Sequence, residues 1–153
     1  MLDYQRHIAV QTDDFDLAHE YQCLRSDSGT GAIVTFCGLV RDMNDGKDVT
    51  GLFLEHYPGM TEKTLEAIAD EAAGRWPLQV VRVIHRVGQM ALCDQIVFVG
   101  VASAHRGAAF DACEFIMDFL KSRAPFWKRE QTKQGEHWVE ARTSDQDALE
   151  RWT

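Results

Sequence analysis

A ten-residue run of almost uninterrupted apolar residues, GAIVTFCGLV from Gly31 to Val40, constrains the fold of this chain most strongly. Its β-branched and aromatic side chains favour a strand, and the lack of polar alternation predicts that the strand is buried. The polar segment Arg41 to Asp48 carries an Asn-Asp-Gly turn signal, and Val49 to Tyr57 is again prone to form a strand. We therefore expect these two strands to form a hairpin with a mobile tip.

Further strands and helices are expected on both sides of this hairpin. Strands are predicted at His7 to Gln11, Val80 to Val87, Gln95 to Ala102 and Gly135 to Arg142. Helices are predicted from an Asp13 or Asp14 cap to Leu24, from a Thr61 cap to Trp76, from Gly107 to Ser122, and from a capping box at Ser144 to near Trp152. The third helix is expected to bury Phe110, Cys113, Ile116, Met117 and Leu120.

The order of these elements, β-α-β-β-α-β-β-α-β-α, mixes hairpins with longer crossovers. It predicts an α+β fold with a mixed or mostly antiparallel sheet. A chain of 153 residues with 45% hydrophobic residues can bury one proper core, and neither a linker nor a repeat divides it. We expect residues 1–153 to form a single domain.

Charge and hydropathy exclude several classes of function. The formal net charge is -8 and the isoelectric point is about 5.1, which argues against a general nucleic-acid binder. No apolar run approaches the roughly 20 residues that span a bilayer, so no membrane association is expected. The N-terminus lacks the layout of a signal peptide. A soluble cytoplasmic protein is the expectation.

The four cysteines give no support for a metal site or for thiol catalysis. Cys23, Cys37, Cys93 and Cys113 form no CxxC pair and match no zinc spacing. Because each lies in an apolar context, they are expected to be reduced and mostly buried. No metal and no cofactor are predicted.

The most distinctive chemical feature is a cationic island in the stretch MDFLKSRAPFWKRE, Met117 to Glu130. Four cations fall within nine residues and no acid lies among them: Lys121, Arg123, Lys128 and Arg129. Pro125 ends the helix, so the chain can turn there and bring the cations together, with Phe126 and Trp127 excluding water. Such an island attracts an anionic small molecule or a carboxylate-bearing partner. The alternative is a helix C-terminus that carries cations because the helix dipole favours them.

Other candidate residues are weaker when each is considered alone. His105 and Arg106 stand at a strand-to-helix junction, where free N–H groups and a guanidinium could bind a phosphate. A surface arginine beside a locally packed histidine is an equally good interpretation. Arg41 is either an anion ligand or an ordinary solvated residue, with the second favoured. His56 and His85 lie in strands and are expected to be structural.

Six motifs, taken together, resemble one family. They are LEHYPGMTEK (Leu54 to Lys63), RWPL (Arg75 to Leu78), VIHRVG (Val83 to Gly88), VGVASAHR (Val99 to Arg106), FIMDFLKSRAPFWKRE (Phe115 to Glu130) and WVEAR (Trp138 to Arg142). In this order, over nearly the whole chain, they resemble the large, catalytic subunit of molybdopterin synthase. The resemblance implies an α/β hammerhead-like domain with an added antiparallel β subdomain.

The resemblance also implies a reaction and a set of partners. The family transfers sulfur from the C-terminal thiocarboxylate of a small ubiquitin-like subunit to cyclic pyranopterin monophosphate, which forms the dithiolene of molybdopterin. It implies a dimer of large subunits within a heterotetramer, with the pocket near the dimer interface. The alternative is a non-catalytic module that binds a ubiquitin-like tail or an anionic ligand through the same basic pocket.

The resemblance implies roles for individual residues. Lys121 is expected at the incoming thiocarboxylate, as an acid-base or covalent group, and Lys128 nearer the pterin, so that both are the expected catalytic residues. The expected substrate-binding residues are Arg41, His105, Arg106, Arg129, Leu39, Val40 and Glu130. Because the partner delivers activated sulfur, this chain needs to position its reactants, neutralise charge and move protons.

Overall fold

The computed structural model describes residues 3–44, 46–139 and 143–152, which form nine strands and four helices. In chain order the elements are β1 (Gln5–Gln11), α1 (Leu17–Leu24), β2 (Ala32–Leu39), β3 (Met43–Asn44), β4 (Lys47–His56), α2 (Met60–Arg75), β5 (Leu78–Arg86), β6 (Gly88–Ala91), β7 (Gln95–Ser103), α3 (Arg106–Arg123), β8 (Phe126–Thr132), β9 (Gly135–Val139) and α4 (Thr143–Glu150). None of these helices combines the length and the apolar character that a bilayer crossing needs. Residues 140–142, at the end of the expected last strand and of the WVEAR motif, lie outside the described ranges.

The first sheet has the strand order β1-β5-β7-β2. Strand β1 runs parallel to β5, and the other two pairings are antiparallel, so the sheet is mixed. Because successive side chains of a strand point to opposite faces, each strand contributes to two hydrophobic clusters. Val81 and Val83 pack under α2 and α3, whereas Val80 and Ile84 pack with Phe15 at α1. Helices thus cover both faces of this sheet.

The second sheet has the order β3-β4-β8-β9, and β6 adds a further antiparallel pairing to β4. Strand β8 runs antiparallel to β4, with Leu54 opposite Lys128 and Leu52 opposite Glu130. A third hydrophobic cluster that includes Leu52 and Leu54 joins this sheet to the rest of the core. The expected α+β class, with a mixed sheet and an additional antiparallel one, is confirmed.

The expected hairpin between the strands at Gly31 to Val40 and Val49 to Tyr57 is wrong. Strand β2 pairs with β7 in the first sheet, and β4 pairs with β8 and β6 in the second. The turn signal is used locally instead, because β3 folds back on the start of β4. The expected burial of this apolar run is also wrong: β2 is an edge strand of the first sheet, none of its residues is buried, and Phe36 and Leu39 are 40% and 53% exposed. Only one of its edges is covered by a neighbouring strand, so its side chains stay partly exposed. Strands β6 and β8 were not predicted.

Two predicted caps are displaced by a few residues. The N-cap of α1 is Asp16, whose carboxylate accepts a hydrogen bond from the N–H of Ala18, and not Asp13 or Asp14. Helix α2 begins after Gly59, which has a φ of 85°. Thr61 lies inside the helix, where its hydroxyl donates to the carbonyl of Tyr57 at 2.9 Å. Both helices nevertheless occupy the expected part of the chain.

The predicted core face of α3 is partly wrong. Phe110 is 60% exposed, whereas Cys113, Ile116, Met117 and Leu120 are buried as expected. The buried set also includes Ala109, Ala112, Phe115 and Phe119. This face is wider than a single stripe because α3 packs on the first sheet, on α2 and on α4. The resulting position of α3 brings its C-terminal end to the junction of the two sheets.

Candidate active site

A cavity of about 410 Å³ lies where the two sheets meet the C-terminal end of α3. Its walls come from the end of β2, from β4, β5, β7 and β8, from the last turn of α3 and from the start of α4. Six of the nine residues expected in the site line it, namely Leu39, Val40, Arg41, Lys121, Lys128 and Glu130. His105, Arg106 and Arg129 do not line it.

A break in the strand register shapes the mouth of the cavity. The pairing of β2 with β7 shifts between Gly38 and Leu39. Main-chain hydrogen bonds then tie Val40 to the turn before β7: its N–H donates to Asp94 at 2.9 Å, and its carbonyl accepts from Cys93 at 2.8 Å. Val40 is consequently buried in the wall, while Leu39 is 53% exposed and Arg41 is exposed. The exposed Arg41 side chain can therefore meet an anion that enters.

The turn at Pro125 brings the two lysines to one cavity, as the sequence predicts. Helix α3 ends at Arg123, and Ala124 adopts an extended ψ of 133°, in agreement with the bias that a following proline imposes. The turn passes the start of α2, where the carbonyl oxygen of Pro125 lies 3.4 Å from the hydroxyl oxygen of Thr61. Lys121 in the last turn is exposed, and Lys128 on the returning strand is half-buried. Two cations seven positions apart in the chain therefore line one cavity.

Strand alternation decides which residues of β8 reach the cavity. Phe126, Lys128 and Glu130 all line it, as residues two apart on a strand should. Trp127 and Arg129 are absent from the lining, and Trp127 is 49% exposed. Of the aromatic pair expected to exclude water, only Phe126 is in position to do so. Arg129, an expected substrate-binding residue, stands at the alternate position of the strand and does not line this cavity.

The other two cations of the island make contacts elsewhere. The guanidinium carbon of Arg129 lies 4.7 Å from the ring centroid of Phe53 and 5.5 Å from that of Trp138. The guanidinium of Arg123 lies over Phe119 at 4.2 Å and within 3.9 Å of the Glu71 carboxylate. The cationic island of the sequence is thus divided, and only its two lysines belong to the cavity.

Two carboxylate residues, Glu130 of β8 and Asp145 of α4, line the cavity together with these cations. Glu130 is 8% exposed, and its Oε1 is 3.7 Å from Nε2 of His137 on the neighbouring strand. At the opposite wall, the hydroxyl of Ser122 donates to the carbonyl of Asp145 at 3.2 Å and ties the start of α4 to the end of α3. A buried carboxylate between cations can orient an ammonium group or accept a proton.

His85, which is expected from the sequence to be structural, lines the cavity. It is 5% exposed, and its Nδ1 lies 2.9 Å from the carbonyl oxygen of Arg86. Its ring stacks on Phe126, with centroids 3.8 Å apart and an interplanar angle of 20°. Burial lowers the pKa of His85 to about 3, and Lys128 and Lys121 act in the same direction. Val81, Val83 and His85 occupy every second position of β5 and therefore share one face of the strand. A histidine in this otherwise apolar series is the sequence signal for a polar side chain at the cavity wall.

His105 and Arg106 are exposed at the opposite end of α3 from Lys121. Helix α3 has 18 residues, so its ends are about 27 Å apart at 1.5 Å per residue. Their expected position at the start of a helix is confirmed. Neither residue lines the cavity of its own chain.

The cysteines have no place in the lining of this cavity. All four are free, but only Cys113 is fully buried, so the expectation of mostly buried thiols is wrong. Burial raises the pKa of the Cys113 thiol to about 12 and also raises the pKa of Cys37. Within the described ranges no group of three or more acidic, histidine or cysteine side chains could hold a metal ion. The cavity therefore offers charge, apolar walls and proton acceptors.

Comparisons with known proteins show which family the chain is similar to. A family model described as "MoaE protein" matches residues 10–123. The molybdopterin synthase catalytic subunit of Vibrio cholerae serotype O1 is 61% identical over 145 residues, which cover 95% of this chain and 97% of that protein. The solved MoaE protein from Burkholderia ambifaria is 52% identical with a TM-score of 0.83, covering 97% of this chain and 98% of that one. A solved molybdopterin synthase from Staphylococcus aureus is 30% identical with a TM-score of 0.78, covering 92% and 98%.

Proposed function

Because the chain belongs to the MoaE family, whose relatives include molybdopterin synthase catalytic subunits, we propose that it transfers sulfur to cyclic pyranopterin monophosphate. The sulfur donor is the C-terminal thiocarboxylate of a small ubiquitin-like subunit. The observation that carries the proposal is the convergence of Arg41, Lys121 and Lys128 on one cavity of an acidic chain. The donor and the acceptor are both anions, so a site that joins them needs cations.

The chemistry of the transfer fits the residues that line the cavity. At each reacting carbon of the pterin side chain a new C–S bond forms and a C–O bond breaks, and the displaced oxygen leaves protonated as water or stays on the freed phosphate. The C–S bond to the acyl carbon of the carrier then breaks, so the sulfur stays on the pterin. The acyl carbon then takes an oxygen from water, so the carrier tail ends as a carboxylate. Since a dithiolene contains two sulfurs, one product molecule requires two carrier tails. No thiol of this chain has to carry sulfur in this scheme.

Each lining residue has a role in this proposal. Lys121 meets the incoming thiocarboxylate, because it is exposed at the cavity wall on the last turn of α3. Lys128 and Arg41 neutralise the anionic acceptor from the other walls. Leu39 at the mouth and Val40 in the wall are apolar and limit the water that reaches the reacting atoms. Glu130 orients the ammonium groups around it.

We also propose that the cavity is completed across a dimer of this chain. His105 and Arg106 lie about 27 Å from Lys121 along α3. They serve the phosphate of the acceptor by reaching the cavity of the second copy. Arg129 has the wrong parity for its own cavity, so any contact of Arg129 with substrate also requires the second copy.

The sulfur-transfer proposal is tested by incubating the chain with thiocarboxylated small subunit and cyclic pyranopterin monophosphate. The expected result is a product that gains two sulfurs, detected by mass spectrometry, with the carrier recovered as its carboxylate. The matched control uses carrier with an ordinary C-terminal carboxylate and yields no product. Stable binding of the carrier without any transfer would instead identify a non-catalytic binding module.

The shared-site proposal is tested with mixed dimers. Lys121→Ala and Arg106→Ala chains are each expected to be poorly active as homodimers. When co-expressed, the mixed dimer contains one cavity with both native residues, so activity returns to about half of the native value per mixed dimer. No recovery in purified mixed dimers would show that both residues serve a cavity in the same chain.

A further inference from the structure

His85 has one ring nitrogen committed to the main chain. It follows Val81 and Val83 on the face of β5 that packs under α3, at the end of the strand nearest the cavity. Its Nδ1 lies 2.9 Å from the carbonyl oxygen of Arg86. A carbonyl oxygen can only accept, so Nδ1 carries the proton of the neutral ring. The lone pair is therefore on Nε2, at the other side of the imidazole.

The plane of this ring is fixed from two directions. Phe126 stacks on it at a centroid distance of 3.8 Å, and the hydrogen bond to the Arg86 carbonyl prevents rotation about the stacking axis. Phe126 shares its face of β8 with Lys128, so the stacked ring and this ammonium group belong to the same wall. A rigid acceptor thus stands beside a long, flexible cation.

The charges around the ring favour an acceptor over a further cation. Charged or titratable groups face the cavity, or act on His85, from every element around it: Lys121 of α3, Lys128 and Glu130 of β8, His56 of β4, Arg41 after β2 and Asp145 of α4. Burial, assisted by Lys128, Lys121 and His56, keeps the pKa of His85 low. At neutral pH the ring therefore adds a lone pair to a wall that is otherwise rich in positive charge.

We propose that His85 is a positioning residue for the sulfur transfer, whose Nε2 accepts a hydrogen bond from the Lys128 ammonium and directs that cation at the bound acceptor. This assignment rests on the proposed function and names the residue that aims one of its two lysines. A lysine has four rotatable side-chain bonds, so a fixed acceptor at the wall removes much of the conformational freedom that the transition state would otherwise have to remove. His85 acts through Lys128 and needs no contact with the reacting atoms.

Three substitutions separate the acceptor from the rest of the ring. Glutamine places an amide oxygen about where Nε2 lies, whereas asparagine replaces only the Nδ1 donor, and phenylalanine keeps only the stacked ring. We expect His85→Asn and His85→Phe to lower kcat about tenfold, with KM for the carrier unchanged, because a hydrogen bond to a charged group is lost. His85→Gln is expected to stay within about threefold of the native kcat.

A double-mutant cycle tests whether His85 works through Lys128. In a Lys128→Ala background, His85→Asn should cause less than about twofold further loss, because the partner of Nε2 is already absent. The three His85 variants are compared at equal folded fraction, which unfolding curves establish. If asparagine does not fold, the phenylalanine and glutamine pair carries the same comparison.

The outcomes distinguish this assignment from the proposed function. If the native chain transfers no sulfur, the proposed function fails and the assignment fails with it. If the native chain is active and both His85→Phe and His85→Asn are equally active, only the positioning role fails. It also fails if glutamine is as slow as phenylalanine, or if the effects of His85→Asn and Lys128→Ala multiply.

Discussion

Strand β8 presents two faces of similar composition to different surroundings. Phe126, Lys128 and Glu130 face the cavity. On the alternate positions, Trp127 is half exposed and the guanidinium of Arg129 is held between aromatic rings. Each face thus offers an aromatic ring and a cation. The difference teaches that charge in a sequence does not define a site. Side chains at odd and even positions of a strand point to opposite faces, and what each face packs against decides which cation meets the ligand.

The largest effect is expected where a cation of the cavity is compared with one that faces away from it on α3. Lys121→Ala should lower the rate of sulfur transfer at least about 100-fold, because the positive charge at the incoming thiocarboxylate is lost. Arg123→Ala is the matched control, since its guanidinium lies over Phe119 at 4.2 Å, and it should stay within about twofold. Single-turnover assays with thiocarboxylated carrier measure both. Near-native turnover of the alanine variant at 121 would remove that lysine from the mechanism.

A smaller effect should separate the neighbouring cations of β8. Lys128→Ala is expected to slow transfer by about 10-fold to 100-fold, because Lys128 lines the cavity. Arg129→Ala should change the rate by less than about threefold and instead lower the free energy of unfolding by about 1 kcal/mol, through lost contacts with Phe53 and Trp138. Steady-state kinetics and urea unfolding measure the two effects. If Lys128→Ala and Arg129→Ala slow transfer equally, the two faces of β8 do not differ in function.

The environment of the cavity face can be measured through the pH dependence of stability. The pKa of His85 falls from 6.5 to about 3 on folding, so between these values the unfolded chain binds this proton and the folded chain does not. Stability should therefore fall as pH drops through this window, with a contribution of at most about 1.4 kcal/mol per pH unit.

The measurement compares native chain with His85→Gln in urea unfolding at several pH values and one protein concentration. The difference in unfolding free energy between the two should slope with pH below 6.5 and be level above it. His85→Phe should give the same slope, because it also lacks the titrating group. If the difference in unfolding free energy does not change with pH, the pKa of His85 is the same in the folded and the unfolded chain.

The smallest effect concerns the aromatic pair of β8. Phe126→Leu should lower the free energy of unfolding by about 1–2 kcal/mol, because Phe126 loses its stacked contact with His85. Trp127→Leu should stay within about 0.5 kcal/mol, since Trp127 is 49% exposed. Thermal or urea unfolding is sufficient for this test. A larger loss of unfolding free energy in Trp127→Leu would show that the face of β8 that carries Trp127 is packed against other residues.

Much of the fold could be predicted where the pattern is local. The apolar run at Gly31 to Val40 forms β2, and the long amphipathic segments form α2 and α3 within a residue or two of the expected bounds. Strand partners could not be predicted, because β2 and β4 each choose a partner far along the chain. The turn signal between them is satisfied by the short β3 instead.

The site was predictable in part for the same reason. A proline after a helix with lysines on both sides suggests a turn, and the structure brings Lys121 and Lys128 together. Arg129 could not be placed correctly from the sequence, because the sequence does not predict that residues 126–132 form a strand. Only strand alternation shows that Arg129 points away from the face that carries Lys128. His85 was missed because a single histidine in an apolar strand is typical of a structural role.

The cationic stretch from Met117 to Glu130 by itself determined that one helix ends just before a proline and that two cations stand on each side of this proline. Local backbone restrictions are sufficient for that. Only the tertiary structure decided that two of those cations face a cavity and that two pack on aromatic rings. It also decided that His85, distant in sequence, stacks on Phe126 beside them. Side-chain direction depends on strand pairing and on what each face packs against, and these are properties of the assembled sheets.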